Sequence, residues 1–198
     1  MARVFLLSPA NASGERASML LREAASFPLA RAVRSEAGAP VGEVFSFLSG
    51  LYFRGKLAYA RAFADRALVI TPDRGLIPPE TAVRVDDLRA MAAVPIDLRE
   101  PRYRGPLERD AAALAGRRGE VVLLGSVASG KYVDVLVGLL GARLLFPVDF
   151  VGRGDMSRGG LLLRCARAGA ELAYVPVAGA VLRGPRPPRL PPLPRRGG

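Results

Sequence analysis

Short, near-continuous apolar runs recur along this chain, each separated from the next by a helical stretch. Arg3 to Ser8, Leu68 to Ile70, Glu120 to Gly125 and Arg143 to Pro147 read as strands, with Glu171 to Val177 as a fifth. The spacing predicts helices over Ser13 to Val33 (with Ser13 as N-cap), Gly42 to Ala64, Val85 to Ala92, Leu107 to Arg117, Tyr132 to Leu140 and Met156 to Ala168. Pro95 to Gly105 reads as an irregular polar excursion. Strands that are apolar at successive positions are buried on both faces, as in parallel sheets covered by helices. The expectation is therefore an α/β fold, three-layer and Rossmann-like, with a mostly parallel sheet of about five strands. Residues 1–182 are expected to form one domain.

From residue 183 to 198 the chain changes character. The segment is rich in Pro and Arg and cannot form a helix or a central strand, so a solvated disordered tail is expected. It carries a PxxP spacing at Pro191 and Pro194.

Composition removes much chemistry. There is no histidine, which excludes Ser-His and Cys-His catalysis and any imidazole metal ligand. Cys165 is the single cysteine, so no disulfide or multi-cysteine metal site can form within one chain. A magnesium site built from carboxylates stays open, and the cofactor is left unknown. No apolar run reaches the ~18–20 residues of a membrane helix, and the apolar stretch after Met1 is shorter than a signal peptide requires. A cytoplasmic protein without membrane contact is expected.

The net charge of +11 points toward anionic partners, but it has two ordinary sources. Lys56 and Lys131 are the two lysines among 29 basic residues, and such arginine dominance fits GC-rich coding. Five arginines (Arg183, Arg186, Arg189, Arg195, Arg196) lie in the tail, which leaves 24 bases against 18 acids in the body. That balance suits a small anionic ligand, with nucleic acid as the alternative partner.

In open parallel sheets, ligands bind beyond the carboxyl ends of the strands. Four expected strands end in small and polar residues, and their loops supply the candidate ligand contacts. Ser8 and Asn11 follow the first strand and Arg74 the second. Gly125, Ser126, Ser129, Gly130 and Lys131 follow the third; Gly152, Arg153, Gly154, Ser157 and Arg158 follow the fourth. The third loop has the glycine and lysine spacing of a P-loop. Tyr132, however, stands where a Ser or Thr would hold magnesium, so the loop reads as a plain anion-binding helix start or as a structural turn rather than a P-loop. Glu43, Asp73 and Asp155 are the candidate acid–base carboxylates. A carboxylate toolkit suits hydrolysis or transfer at glycosidic or phosphate bonds better than redox chemistry. The alternative is a non-catalytic nucleic-acid binder that uses the arginine-rich surface and tail.

Three motifs taken together resemble a known class. They are Leu51-Tyr52-x-x-Gly55-Lys56-x-x-x-Ala60, the run from Leu68 through Thr71-Pro72-Asp73-Arg74-Gly75-Leu76-Ile77 to Pro79, and the apolar strand ending at Gly125 with Tyr132 beyond. Across about residues 48 to 140 the chain resembles uncharacterised bacterial α/β domains related to YaaA-type proteins. The resemblance implies an α/β domain associated with nucleotide or nucleic-acid processing. Thr71-Pro72-Asp73-Arg74 departs from the Ser-Ala-Lys-Tyr or Ser-Ala-Lys-His of that pattern, and Asp73 reverses the charge.

Overall fold

The computed structural model describes residues 2–128, 130–181 and 184–191. β1 (Arg3–Leu7) is followed by α1 (Glu15–Leu21), α2 (Pro28–Arg34), β2 (Ala39–Pro40), α3 (Val41–Ser49) and α4 (Leu51–Phe63). Next come β3 (Arg66–Thr71), β4 (Gly75–Ile77), β5 (Ala82–Val83), α5 (Val85–Ala92) and α6 (Pro101–Ala115). β6 (Glu120–Leu124), α7 (Val133–Leu140), β7 (Leu144–Pro147), α8 (Asp155–Ala168) and β8 (Tyr174–Pro176) complete the chain.

The main sheet has six strands in the order β4-β3-β1-β6-β7-β8. β3, β1, β6 and β7 run parallel, while β4 and β8 close the edges antiparallel. Phe5, Leu6 and Leu7 are all fully buried, as are Val122, Leu123 and Leu124. Consecutive strand residues point to opposite faces, so both faces of the sheet are covered. Six strands replace the five expected. The extra one is β4, paired with β3 through a turn in which the Thr71 hydroxyl donates to the Gly75 carbonyl at 3.0 Å. A separate two-stranded sheet joins β2 to β5.

Three expected helices have different bounds. The stretch from Ser13 to Val33 breaks into α1 and α2, because Pro28 opens a new helix and the Arg34 guanidinium binds the carbonyls of Ala25 and Ala30 at 2.8 and 2.9 Å. The N-cap of α1 is Gly14, not Ser13. The stretch from Gly42 to Ala64 breaks at Gly50, whose φ of +62° and ψ of −133° form a corner that favours glycine. α6 starts at Pro101 rather than Leu107, because the Glu100 carboxylate accepts from the Arg102 amide and caps it.

Taken in chain order, the parallel strands lie 2-1-3-4. The chain leaves β1 toward one side and later crosses to the other, so the order reverses between β1 and β6. Such a reversal opens a crevice at the carboxyl ends of the two strands. α8 is drawn against α4 at this end by two glycines. A Cβ on Gly55 would lie 2.5 Å from the Gly159 carbonyl oxygen, and one on Gly159 would lie 2.7 Å from the Leu51 carbonyl oxygen. The first turn of α8, with Asp155, is thereby held beside α4.

The expected tail lies only partly within the described residues, which exclude 182–183 and 192–198. Residues 184–191 carry no helix or strand and pass along α8, where Arg164 donates to the Pro191 carbonyl. Among the described residues no helix is long and apolar enough to cross a membrane.

Candidate functional site

A cavity of about 630 Å³ opens at the crevice between the ends of β1 and β6. Ser8 enters it from the end of β1, Pro72 from the end of β3 and Ser126 from beyond β6. Lys131 and Tyr132 enter ahead of α7, Asp155 from the first turn of α8 and Tyr52 from α4. Met91 to Ile96, from the end of α5 onward, also line it.

Behind Ser8 lies a buried polar cluster. The Ser8 amide donates to the Leu124 carbonyl at 3.2 Å, which prolongs the pairing of β1 with β6 and fixes Ser8 at the crevice. Lys56, on the same α4 face as Tyr52, is 1% exposed. Its Nζ lies 2.8 Å from both the carbonyl oxygen and the Oγ of Ser8. The ammonium position is also 4.4 Å from the centroid of the Tyr52 ring and 4.6 Å from that of Phe53. A buried lysine without such partners would carry the full cost of a desolvated charge; two acceptors and two ring faces offset part of it. Burial still pushes its pKa down to about 7, with the Asp155 charge pulling the other way.

Three tyrosines differ in what their hydroxyls find. Tyr132 donates to the Ser126 carbonyl at 3.1 Å and lies within hydrogen-bonding reach of Ser8. Gly125 backs this cluster, since a Cβ there would lie 2.7 Å from Ser8 Cβ and 2.8 Å from the Tyr132 hydroxyl. The first glycine of the P-loop-like spacing therefore serves a close contact with Ser8 and Tyr132. Tyr52 is 6% exposed; its hydroxyl makes no hydrogen bond of good geometry among the described residues, with the Arg158 guanidinium as its nearest charged neighbour. Burial raises its pKa, so the phenol keeps its proton at neutral pH. Tyr103 is fully buried and its hydroxyl likewise makes no hydrogen bond among the described residues, but it does not line the cavity.

The structure divides the residues singled out from sequence. Ser8, Asn11, Ser126, Lys131 and Asp155 line the cavity, with Gly125 behind them and Gly130 next to Lys131. Ser129 lies outside the described residues. Glu43 is elsewhere, paired on the surface with Arg61 at 3.2 Å. Asp73 and Arg74 form the turn between β3 and β4, and Arg74 reaches Asp87 at 2.5 Å. Desolvation raises the Asp73 carboxyl, partly countered by Arg74, but that carboxyl is not in the cavity wall. Arg153 donates to the Asp149 carbonyl and to Ser157 Oγ. Arg158 donates to the Phe150 carbonyl and sits 3.6 Å from Asp155. Arg153, Gly154 and Ser157 thus line a second groove beside residues 186–191, while Gly152 lies ahead of α8 and Arg158 in its first turn, and neither lines a groove at the crevice. Among the described residues no group of three or more Cys, Asp or Glu side chains is arranged to hold a metal ion.

Sequence reasoning missed Lys56 and Tyr52 as parts of the site. The available signal was that Lys56 and Lys131 are the two lysines in a chain whose other bases are arginine: Lys131 lines the cavity and Lys56 contacts Ser8, which lines it too. No protein-family model, curated protein or solved structure matches this chain.

Proposed function

We propose that this chain binds an anionic, nucleotide- or nucleoside-like ligand in the cavity at the carboxyl rim of its sheet. The observation that carries the reading is the convergence of Ser8, Ser126, Lys131, Tyr132 and Asp155 on one cavity at the reversal of strand order. The 2-1-3-4 order supports a Rossmann-like classification, in which this crevice is the ordinary ligand position. Lys131 is exposed and supplies positive charge at the entrance. Asn11, Ser126 and the Tyr52 hydroxyl supply hydrogen bonds suited to ribose, base or phosphate oxygens. The resemblance to YaaA-type domains points the same way. A nucleic-acid surface is supported less, since several exposed arginines, such as Arg99 with Asp97 and Arg102 with Glu100, are held in local pairs. Groups of this kind suit hydrolysis or group transfer rather than redox chemistry.

Thermal unfolding of the full chain against a panel of nucleotides, nucleosides and sugar phosphates tests the reading. A ligand at 100 times its Kd adds about 2.7 kcal/mol, which raises the midpoint by several degrees. The expected result is a shift with at least one anionic member of the panel that shrinks strongly in Lys131→Ala. A panel without any shift would contradict it.

A further inference from the structure

We propose that Ser8 is a nucleophile activated by Lys56, and that the cavity hydrolyses or transfers a carboxylic ester carried by its ligand. The inference rests on this cavity being a ligand site. A nucleophile needs a base within hydrogen-bonding reach and an open face toward substrate. Ser8 Oγ is 2.8 Å from Lys56 Nζ, and Ser8, 5% exposed, lines the cavity wall. Lys56 is 1% exposed, so its amine can meet the cavity only beside Ser8 Oγ, where it exchanges a proton with Ser8, the leaving group or the attacking water. The groups facing the pair are Tyr52 from α4, Tyr132 ahead of α7, and Asp155 and Arg158 from α8. A lysine stripped of water gives up its proton at neutral pH far more readily than one on a surface, and serine–lysine pairs are an established variant of nucleophilic catalysis.

In the step, Ser8 Oγ attacks the ester carbonyl carbon while its hydroxyl proton passes to the neutral amine of Lys56. The carbonyl oxygen becomes an oxyanion, and the buried hydroxyl of Tyr52 is the available donor for it. Collapse re-forms the carbonyl and breaks the bond to the leaving alkoxide, which takes the proton from Lys56. Water then attacks the acyl group on Ser8, Lys56 accepts the water proton, and that proton returns to Ser8 Oγ as the acid leaves. A carbonyl centre is favoured over phosphorus because one neutral phenol matches a single developing charge. The forked donors a phosphoryl group would need, Arg153 and Arg158, are committed to backbone carbonyls.

The test is covalent labelling of the full chain with a fluorophosphonate, followed by intact mass and peptide mapping between pH 5.5 and 9. One adduct on Ser8 is expected, formed with loss of fluoride. Its rate should level off above a midpoint near pH 7, disappear in Ser8→Ala and fall at least 100-fold in Lys56→Met. Because the wild-type pH profile reads Lys56 without altering it, the test stands even where Lys56→Met fails to fold. No adduct, an adduct on another residue, or a Ser8 rate that climbs tenfold per pH unit without levelling would overturn the proposal. Labelling without any nucleotide-induced thermal shift supports the nucleophile and removes the anionic ligand. A thermal shift without labelling does the reverse.

Discussion

Gly159→Ala is expected to destabilise the protein by about 2–3 kcal/mol, although the same change in an open helix position normally stabilises. Alanine exceeds glycine by about 1 kcal/mol in helix propensity, so the sign depends on what the new methyl meets. At Gly159 it would sit 2.7 Å from the Leu51 carbonyl oxygen and 2.7 Å from Tyr52 Cα, both backbone atoms of α4 that cannot swing aside. The helices would have to separate, carrying Asp155 away from Lys56 and Tyr52, so binding at the cavity should weaken together with stability. Gly138, on α7, is the internal contrast. A Cβ there has nothing within 4 Å, and Gly138→Ala is expected to stabilise by about 0.5–1 kcal/mol. Urea unfolding of the two variants checks both signs. Equal effects would contradict the close crossing of α4 and α8.

The second large effect is a rise of stability with pH. Lys56 titrates near 10.5 when unfolded and near 7 when folded, because burial disfavours its charge. Between those values the unfolded chain holds a proton that the folded chain has lost, so unfolding free energy increases as pH rises. Below about pH 7 both states are protonated and above about pH 10.5 neither is, so the contribution is flat outside the window. At about 1.4 kcal/mol per pH unit, the gain from pH 7 to pH 10 is on the order of 4 kcal/mol. The buried phenols act in the opposite direction at higher pH. Burial raises Tyr52, Tyr103 and Tyr132, so unfolded tyrosine ionises first and stability declines above about pH 10. Denaturant midpoints taken at intervals from pH 6 to pH 11 should therefore form a peak near pH 10. Lys56→Met should remove the ascending limb and leave the descending one. A flat wild-type profile between pH 7 and pH 10 would contradict a Lys56 amine that burial keeps neutral in the folded protein.

The parallel heart of the fold was legible because β1, β3, β6 and β7 are apolar at successive positions, a pattern that only a doubly covered sheet tolerates. The breaks were harder to see. Gly50 lies within an otherwise helical apolar run, and only its backbone geometry, with Arg16 donating to the Phe47 carbonyl beside it, ends the helix. β4 is three residues long and runs straight into Pro78, so its pairing with β3 leaves almost no periodic trace.

The site was half legible for a related reason. Strand ends are marked locally by small and polar residues, and Ser8, Ser126, Lys131 and Asp155 follow from that rule. Lys56 and Tyr52 come from the first two turns of α4, far in sequence from Ser8, and only the folded packing brings the Lys56 amine to Ser8 Oγ. Arg74, Arg153 and Arg158 look like ligand contacts in one dimension but are taken up by Asp87 and by backbone carbonyls in three.

Amide chemical-shift mapping of the full chain during titration with a nucleotide tests the rim site. The expected result is saturable perturbation centred on Ser8, Asn11, Ser126, Lys131, Tyr132 and Asp155, lost in Lys131→Ala. Perturbations spread over exposed arginine faces, or none near the ends of β1 and β6, would contradict a ligand site at this crevice.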